Sequence, residues 1–312
     1  MKTLFTFPGQ GAQSPGLLHQ LPDHLMSHEL LDETFEVLKC DPLSLDNKIA
    51  LQKTGSVQLC LLITGVIHAR LFISSGVTPD FASGFSIGAF SAAVISGAIS
   101  FKDAVRLVAL RGELMEKAYP CGYGLTAIVG LGQRQIEPLI VSVFSQDQPV
   151  YLANINAEDQ IVIAGSELAM QKVGQLAKTK GATKVQRLRV SVPSHCALLD
   201  EQAGQLRHAM KSVNVSKPNI AYLSGNTGRV LWQPEDIASD LAFNMAKTVH
   251  WHDAMRAAYE RDVRLVIEMP PGSVLTRLAR PIQENGYVLS CAQLGLGKSI
   301  EMSKYYNMLS SI

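Results

Sequence analysis

Strand-like and helical segments alternate along nearly the whole chain, and that order leaves few folds open. A short strand near 3–7 is followed by helices near 28–39 and 57–75, a strand near 80–85, and helices near 87–97 and 103–118. Successive strands joined through helices pair in parallel, so this rhythm predicts a parallel sheet covered by helices. It breaks once. From about 124 to 189 the order becomes strand (Leu125 to Leu131), helix (Gln133 to Phe144), strand (Val150 to Asn156), strand (Gln160 to Ala164), helix (Leu168 to Lys180), strand (Lys184 to Val192). That βαββαβ order is the one of a ferredoxin-like module. Alternation then resumes, with strands near 219–223, 263–269 and 287–292. The expected fold class is therefore α/β: residues 1–123 and 190–312 share one large domain, and 124–189 form an inserted small one. A chain of 312 residues has room for both.

Charge and apolar content narrow the function classes. The 28 basic and 27 acidic residues leave a net charge of +1, which is no footprint for a nucleic acid or an anionic membrane, and neither is expected as a partner. The 47% hydrophobic and 18% charged fractions describe an ordered aliphatic core. The N-terminal run to Pro8 is too short for the apolar part of a signal peptide, so a cytoplasmic protein is expected. The most lipid-like window, Leu59 to Val77, contains His68 and Arg70 and is read as a buried helix. Five scattered cysteines (Cys40, Cys60, Cys121, Cys196, Cys291) form no C-x-x-C pair, so reduced thiols and no metal site are expected.

One motif has the setting its chemistry requires. Gly84-Phe85-Ser86-Ile87-Gly88 follows a short apolar strand and opens a helix of small residues, the context of a nucleophile elbow. The glycines allow the sharp turn that lifts a serine hydroxyl above the sheet, and the Ile87 amide would point at a developing oxyanion. The alternative is a tight turn with a capping serine. A nucleophilic serine needs a base. Of eight histidines, His195 sits where a strand ends and a helix begins, a position from which side chains reach a cleft. A loop-capping role for it stays open. His19, His24, His28 and His208 lie in polar surroundings, and His68 reads as a core residue. Cys196 is a rival nucleophile without an elbow. Arg111 falls at the centre of an apolar stripe of Ala104, Leu107, Val108, Leu114, Met115 and Ala118. An inward arginine keeps its proton and needs an anion, either a buried carboxylate or a substrate. Gly295-Leu296-Gly297-Lys298-Ser299 lacks the first glycine of a P-loop, Ala292 standing there, and no dinucleotide fingerprint follows a strand.

Six short blocks carry a resemblance. Phe7-Pro8-Gly9-Gln10-Gly11-Ala12-Gln13, the serine elbow, Leu110-Arg111-Gly112, Asn154-Ile155-Asn156 with Gln160 to Gly165, Val190 to His195, and Glu268-Met269-Pro270-Pro271-Gly272 stand in order over nearly the whole chain. In this the sequence resembles the malonyl-CoA:acyl carrier protein transacylases. Within them the elbow and the run Arg111 to Pro120 look most like the epsilon subunit of malonate decarboxylase. The resemblance implies an α/β-hydrolase-like large domain with the ferredoxin-like insert, and an acyl-carrier-protein S-malonyltransferase activity. Malonyl-CoA would be the substrate and the prosthetic thiol of an acyl carrier protein the acceptor, here that of a malonate decarboxylase carrier subunit, with no cofactor bound to the chain itself.

The resemblance also implies roles. Ser86 would be acylated and His195 would be its base. Gln10 and the Ile87 amide would form the oxyanion hole. Arg111 would hold the malonyl carboxylate, with Gln10, Asn154 and Asn156 also on the substrate. The carbonyl that orients the histidine would belong to His250. The sequence departs from the family's pattern at Phe85 and Ala89, where histidine and glutamate are usual, and at Pro270, where glycine is. These changes bear on carrier or substrate preference. Competing readings are a transacylase of fatty-acid or polyketide synthesis, a thioester hydrolase using the same elbow, and a non-catalytic scaffold that keeps the fold.

Overall fold

The computed structural model describes residues 1–119, 121–188 and 190–309. Pro120, which ends the epsilon-like run, and Arg189, inside the sixth strand expected for the insert, lie outside the described residues. The first stretch runs β1 (Lys2–Phe7), α1 (Leu25–Leu38), α2 (Thr54–Ser74), β2 (Phe81–Gly84), α3 (Gly88–Ile95) and α4 (Phe101–Ala118). The middle runs β3 (Tyr123–Val129), α5 (Gln133–Val143), β4 (Val150–Ala157), β5 (Gln160–Ser166), α6 (Glu167–Thr179) and β6 (Lys184–Arg187). The last part holds α7 (Asp200–Met210), β7 (Ala221–Leu223), β8 (Val230–Leu231), α8 (Pro234–Phe243), α9 (Trp251–Tyr259), β9 (Val263–Glu268), α10 (Val274–Ala279), β10 (Tyr287–Ser290), α11 (Cys291–Leu294) and α12 (Leu296–Leu309).

Six strands form one sheet in the order β10-β9-β1-β2-β7-β8, parallel except for the β7–β8 pair. From Thr3 to Phe7, β1 is buried residue after residue, as a central parallel strand covered on both faces must be. The helix α2 is long and apolar enough to cross a bilayer, but 83% of its most apolar window is buried inside the protein. It packs on α3 and α4 and supplies Leu62, Ile63, Val66 and Phe72 to the core. Ser100 caps α4 by accepting from the Asp103 amide at 3.0 Å, which sets the phase that turns Arg111 inward.

The second sheet is antiparallel, in the order β4-β5-β3-β6, with α5 and α6 on one face. This is the strand order 2-3-1-4 of a ferredoxin-like unit, and the α/β class with two sheets agrees with the sequence reading. Its last strand is shorter than expected. The Arg187 guanidinium donates to the carbonyls of Tyr123 at 2.6 Å and Leu125 at 2.8 Å on β3 and to those of Leu188 at 3.2 Å and Val190 at 3.0 Å on its own segment, and the last backbone bond to β3 is that of the Leu188 amide to Leu125 at 2.9 Å. The two sheets are stitched together at β4. Ile155 donates to the Val249 carbonyl at 2.8 Å, Val249 donates to Ala153 at 2.9 Å, and the Thr248 hydroxyl donates to Leu152 at 3.1 Å. That seam follows directly on the turn Asn244–Ala246.

Candidate active site

The strand β2 ends at Gly84 and α3 begins at Gly88, leaving three residues for the turn. Ser86 takes φ 55°, a left-handed conformation that costs a non-glycine residue about 1–2 kcal/mol. The glycines make room for it. A Cβ at Gly84 would run into the backbone of Gly88 and Ala89, and one at Gly88 would strike the Phe7 carbonyl oxygen. The Phe85 amide donates to the Phe7 carbonyl at 2.9 Å, hooking the elbow to the end of β1. Ser86 is half-buried, with its hydroxyl turned to the cleft residues described next.

His195 follows the last strand of the small sheet, β6, in the chain. It too is left-handed, at φ 66°, and its amide donates to the Met245 carbonyl at 2.6 Å. Its Nε2 lies 2.9 Å from Ser86 Oγ. Its Nδ1 lies 2.9 Å from the Asn244 carbonyl oxygen and 3.3 Å from that of Lys247. Carbonyls only accept, so Nδ1 carries the proton and Nε2 is left as the acceptor of the serine proton. Burial, and then the Arg111 charge, lower the imidazole pKa to about 4. The ring is neutral near pH 7, the state a general base needs.

The orienting carbonyl is thus not that of His250, and this corrects the expectation. The His250 carbonyl accepts from the Ala254 amide at 3.0 Å in the first turn of α9, and its ring faces Asp253. The tight turn Asn244–Ala246 brings two earlier carbonyls to the imidazole instead.

Arg111 has no exposed surface. Its Nη2 donates to Ser86 Oγ at 3.3 Å and to Asn244 Oδ1 at 3.2 Å, both neutral groups. Its Nε and Nη1 have no hydrogen-bond partner among the described residues. Burial lowers the guanidinium pKa to about 9. Of the two possibilities left open by the sequence, a buried ion pair is absent among the described residues, and a fixed cation with two unused donor nitrogens stands beside the serine.

The remaining residues fall at different distances from this centre. No described residue accepts a hydrogen bond from the Ile87 amide, which sits at the entrance of α3 directly after Ser86. Gln10 is half-buried in the turn after β1, next to Gly9, where a Cβ would lie 3.6 Å from that of Ser86. Asn154 and Asn156 are buried on β4, at the seam, and no hydrogen bond joins either to Ser86, His195 or Arg111. Asn156 Oδ1 has no partner. The Cys196 thiol is buried, donates to the Pro193 carbonyl at 3.2 Å and is pushed up to about 12, which makes it a poor nucleophile. His68 binds the Thr64 carbonyl at 2.8 Å inside α2, as a core histidine does.

Two residues at the centre escaped the sequence reading. Asn244 holds Arg111 with its side chain and His195 with its carbonyl. Asn226 in turn accepts from Asn244 Nδ2 at 3.3 Å. The available signal was an asparagine inside the apolar run Leu241-Ala242-Phe243-Asn244-Met245-Ala246, where a buried amide must find partners.

Comparison with known proteins gives the family of the whole chain. Residues 4–299 match the model of the acyl transferase domain family. The malonyl CoA-acyl carrier protein transacylase of Bacillus subtilis (strain 168) is 33% identical over 286 residues, covering 90% of each chain. The structure of an acyl-carrier-protein S-malonyltransferase from Burkholderia pseudomallei 1710b is 31% identical and superimposes with a TM-score of 0.88, over 96% of this chain and 100% of the other. A malonyl-transacylase solved in complex with its type II PKS acyl-carrier protein is 33% identical, with a TM-score of 0.86 over 93% of this chain and 94% of that one. On identity, coverage and fold together, the chain belongs to the malonyl-CoA:acyl carrier protein transacylases, a family of acyltransferases.

Proposed function

We propose that this chain moves a malonyl group from coenzyme A to the thiol of an acyl carrier protein through an ester on Ser86. The observation that carries the reading is Arg111. A buried guanidinium with two unused donor nitrogens, 3.3 Å from the serine hydroxyl, suits an acyl group that ends in a carboxylate. In the first half-reaction Ser86 Oγ attacks the thioester carbonyl while His195 Nε2 takes its proton. The oxyanion is held by the Ile87 amide and by Gln10. The C–S bond then breaks, and His195 returns the proton to the leaving thiol of coenzyme A. A carrier thiol repeats the sequence in reverse. Asn154 and Asn156, at the seam beside the Lys247 carbonyl, are assigned to the substrate arm. The division into domains 1–123 with 190–312, and 124–189, puts Ser86 and Arg111 on the large unit, with the chain returning to it at His195.

Radiolabelled malonyl-CoA tests the assignment. The wild type is expected to retain label as a stable ester, and Ser86→Ala to retain none. Equal labelling of the two rejects Ser86, and labelling of the wild type alone rejects the scaffold reading. Single turnover in the presence of a carrier separates transfer from hydrolysis, since a hydrolase releases free malonate.

The identity of the carrier is the finer question. The transacylase names of the relatives support a carrier of fatty-acid or polyketide synthesis. Phe85, packed edge-on against Trp251 with centroids 5.4 Å apart, and Ala89 support the narrower assignment to malonate decarboxylase. Transfer rates to carriers of the two kinds distinguish them. A coenzyme A thioester substrate suits the cytoplasm.

A further inference from the structure

The buried charge of Arg111 has no carboxylate beside it, yet its surroundings lead to one. Arg111 Nη2 donates to Asn244 Oδ1 at 3.2 Å. That contact fixes the Asn244 amide, because a guanidinium only donates. Asn244 Nδ2 then points onward and donates to Asn226 Oδ1 at 3.3 Å. Asn226 is tied in turn to Asp240 through Ser224. Asp240 accepts from the Ser224 hydroxyl at 2.6 Å and the Tyr222 hydroxyl at 2.7 Å. Ser224 Oγ receives the Asn226 backbone amide at 3.2 Å, so Asn226 is held from both ends. Every proton in the chain runs from the cation toward the anion, and all its members are at least nine-tenths buried. Aligned dipoles between opposite charges in a dry interior reinforce one another. The chain also branches at Asn244, whose carbonyl accepts from His195 Nδ1 at 2.9 Å.

We propose that Asp240 and Asn226 are positioning residues for the acyl clamp: through Asn244 they fix the angle of the Arg111 guanidinium and keep Nε and Nη1 free for the substrate carboxylate. The proposal rests on the reading of Arg111 as that clamp. Asp240 touches no reacting atom. Burial raises the Asp240 carboxyl and the hydrogen bonds it accepts oppose that rise; its charge, carried through Ser224 and two asparagines, balances the arginine without occupying it. A direct ion pair would block the donors that an incoming carboxylate uses.

The test compares Ser86 acylation rates with radiolabelled malonyl-CoA and acetyl-CoA in the full chain. Asp240→Asn keeps the shape and removes the charge, and Asn226→Ser shortens the relay. Each is expected to slow malonyl acylation by about 10-fold while acetyl acylation changes by less than about 2-fold, because only the malonyl group uses the clamp. Asp240→Glu is expected to restore most of the malonyl-to-acetyl ratio. Loss of both rates in equal proportion, or no loss of ratio in either variant, overturns the relay. Asn226→Ser decides alone if Asp240→Asn does not fold. Arg111→Ala runs beside them. An unchanged ratio there removes the clamp reading and the relay with it. A collapsed ratio there with an unchanged one in the other two variants removes the relay only.

Discussion

The two sheets place unlike demands on the same chain. In the four-stranded antiparallel unit, no described residue other than glycine takes a positive φ, and Asn156 Oδ1 is its one buried side-chain atom without a partner. The part built on the six-stranded sheet holds all four such residues, Lys39, Ser86, His195 and Asp262, and the orphaned donors of Arg111. Backbone strain and unpaired polar groups each cost on the order of 1–3 kcal/mol, so they persist only where surrounding packing compensates. The large region carries both next to one hydroxyl. The small one stays regular and acts through where it stands, bonded at β4 to the segment that follows the Asn244 turn.

The sharpest way to break this contrast is to add a methyl group in each region. Gly88→Ala puts a Cβ against the Phe7 carbonyl, and no side chain there can yield, so a loss of more than about 4 kcal/mol is expected. Gly174→Ala on α6 meets only the end of the Val185 side chain, at 2.8 Å, and gains helix propensity, so its stability is expected to stay within about 1 kcal/mol of wild type. Denaturant midpoints measure both. Similar losses would show that the elbow is no more constrained than an ordinary helix. Next in size, Gln10→Ala is expected to slow acylation about 100-fold, the usual effect of removing one oxyanion donor, with a folded-state spectrum unchanged. A change under 3-fold would leave the oxyanion to the Ile87 amide alone.

The smallest effect concerns pH. Burial lowers the His195 pKa first and the Arg111 charge adds to it, to about 4. The native state therefore binds this proton less readily than the unfolded chain does, whose imidazole has its ordinary pKa of about 6.5. This site's share of the stability is complete above the unfolded value and is lost as pH falls from there through the folded one. If Ser86 is acylated with His195 as its base, as proposed, acylation follows the neutral imidazole, and its acid limb is expected well below the ordinary histidine range. Arg111→Gln removes a positive charge, which moves that limb upward by about 1 pH unit. A limb that stays in place would separate the two groups electrostatically.

Much of this was legible in the residues. The alternation of elements foretold the parallel sheet, and the one break in it foretold the antiparallel insert. The helical phase turned Arg111 inward, and Gly84 and Gly88 marked the elbow because only glycine lets those backbones meet. The orienting carbonyl was not legible. Any residue offers one, so its owner depends on the turn at Asn244–Ala246, and His250 stands only three residues past Lys247, the second residue whose carbonyl meets the ring. Asp240 escaped for a different reason. Its link to Arg111 passes through Asn226 and Asn244, residues brought together by tertiary packing of the 224–229 loop against α8. The strand expected to reach Val192 ends at Arg187, whose guanidinium takes four carbonyls, two of them across the sheet on β3, contacts that local propensity does not encode.

Two carbonyl oxygens hold the His195 imidazole where many serine enzymes place a carboxylate, and for the proposed transfer this has a consequence for turnover. A ring that takes the serine proton becomes a second cation near Arg111, with no carboxylate among the described residues in direct contact with either. On the proposed reading, the anion that offsets them enters with the cargo. A dicarboxylic half-thioester brings its own counterion to the proton-transfer step, whereas a plain acyl chain leaves two positive groups facing each other. Selectivity for the cargo would then arise partly in the rate of ester formation, beyond what docking alone supplies.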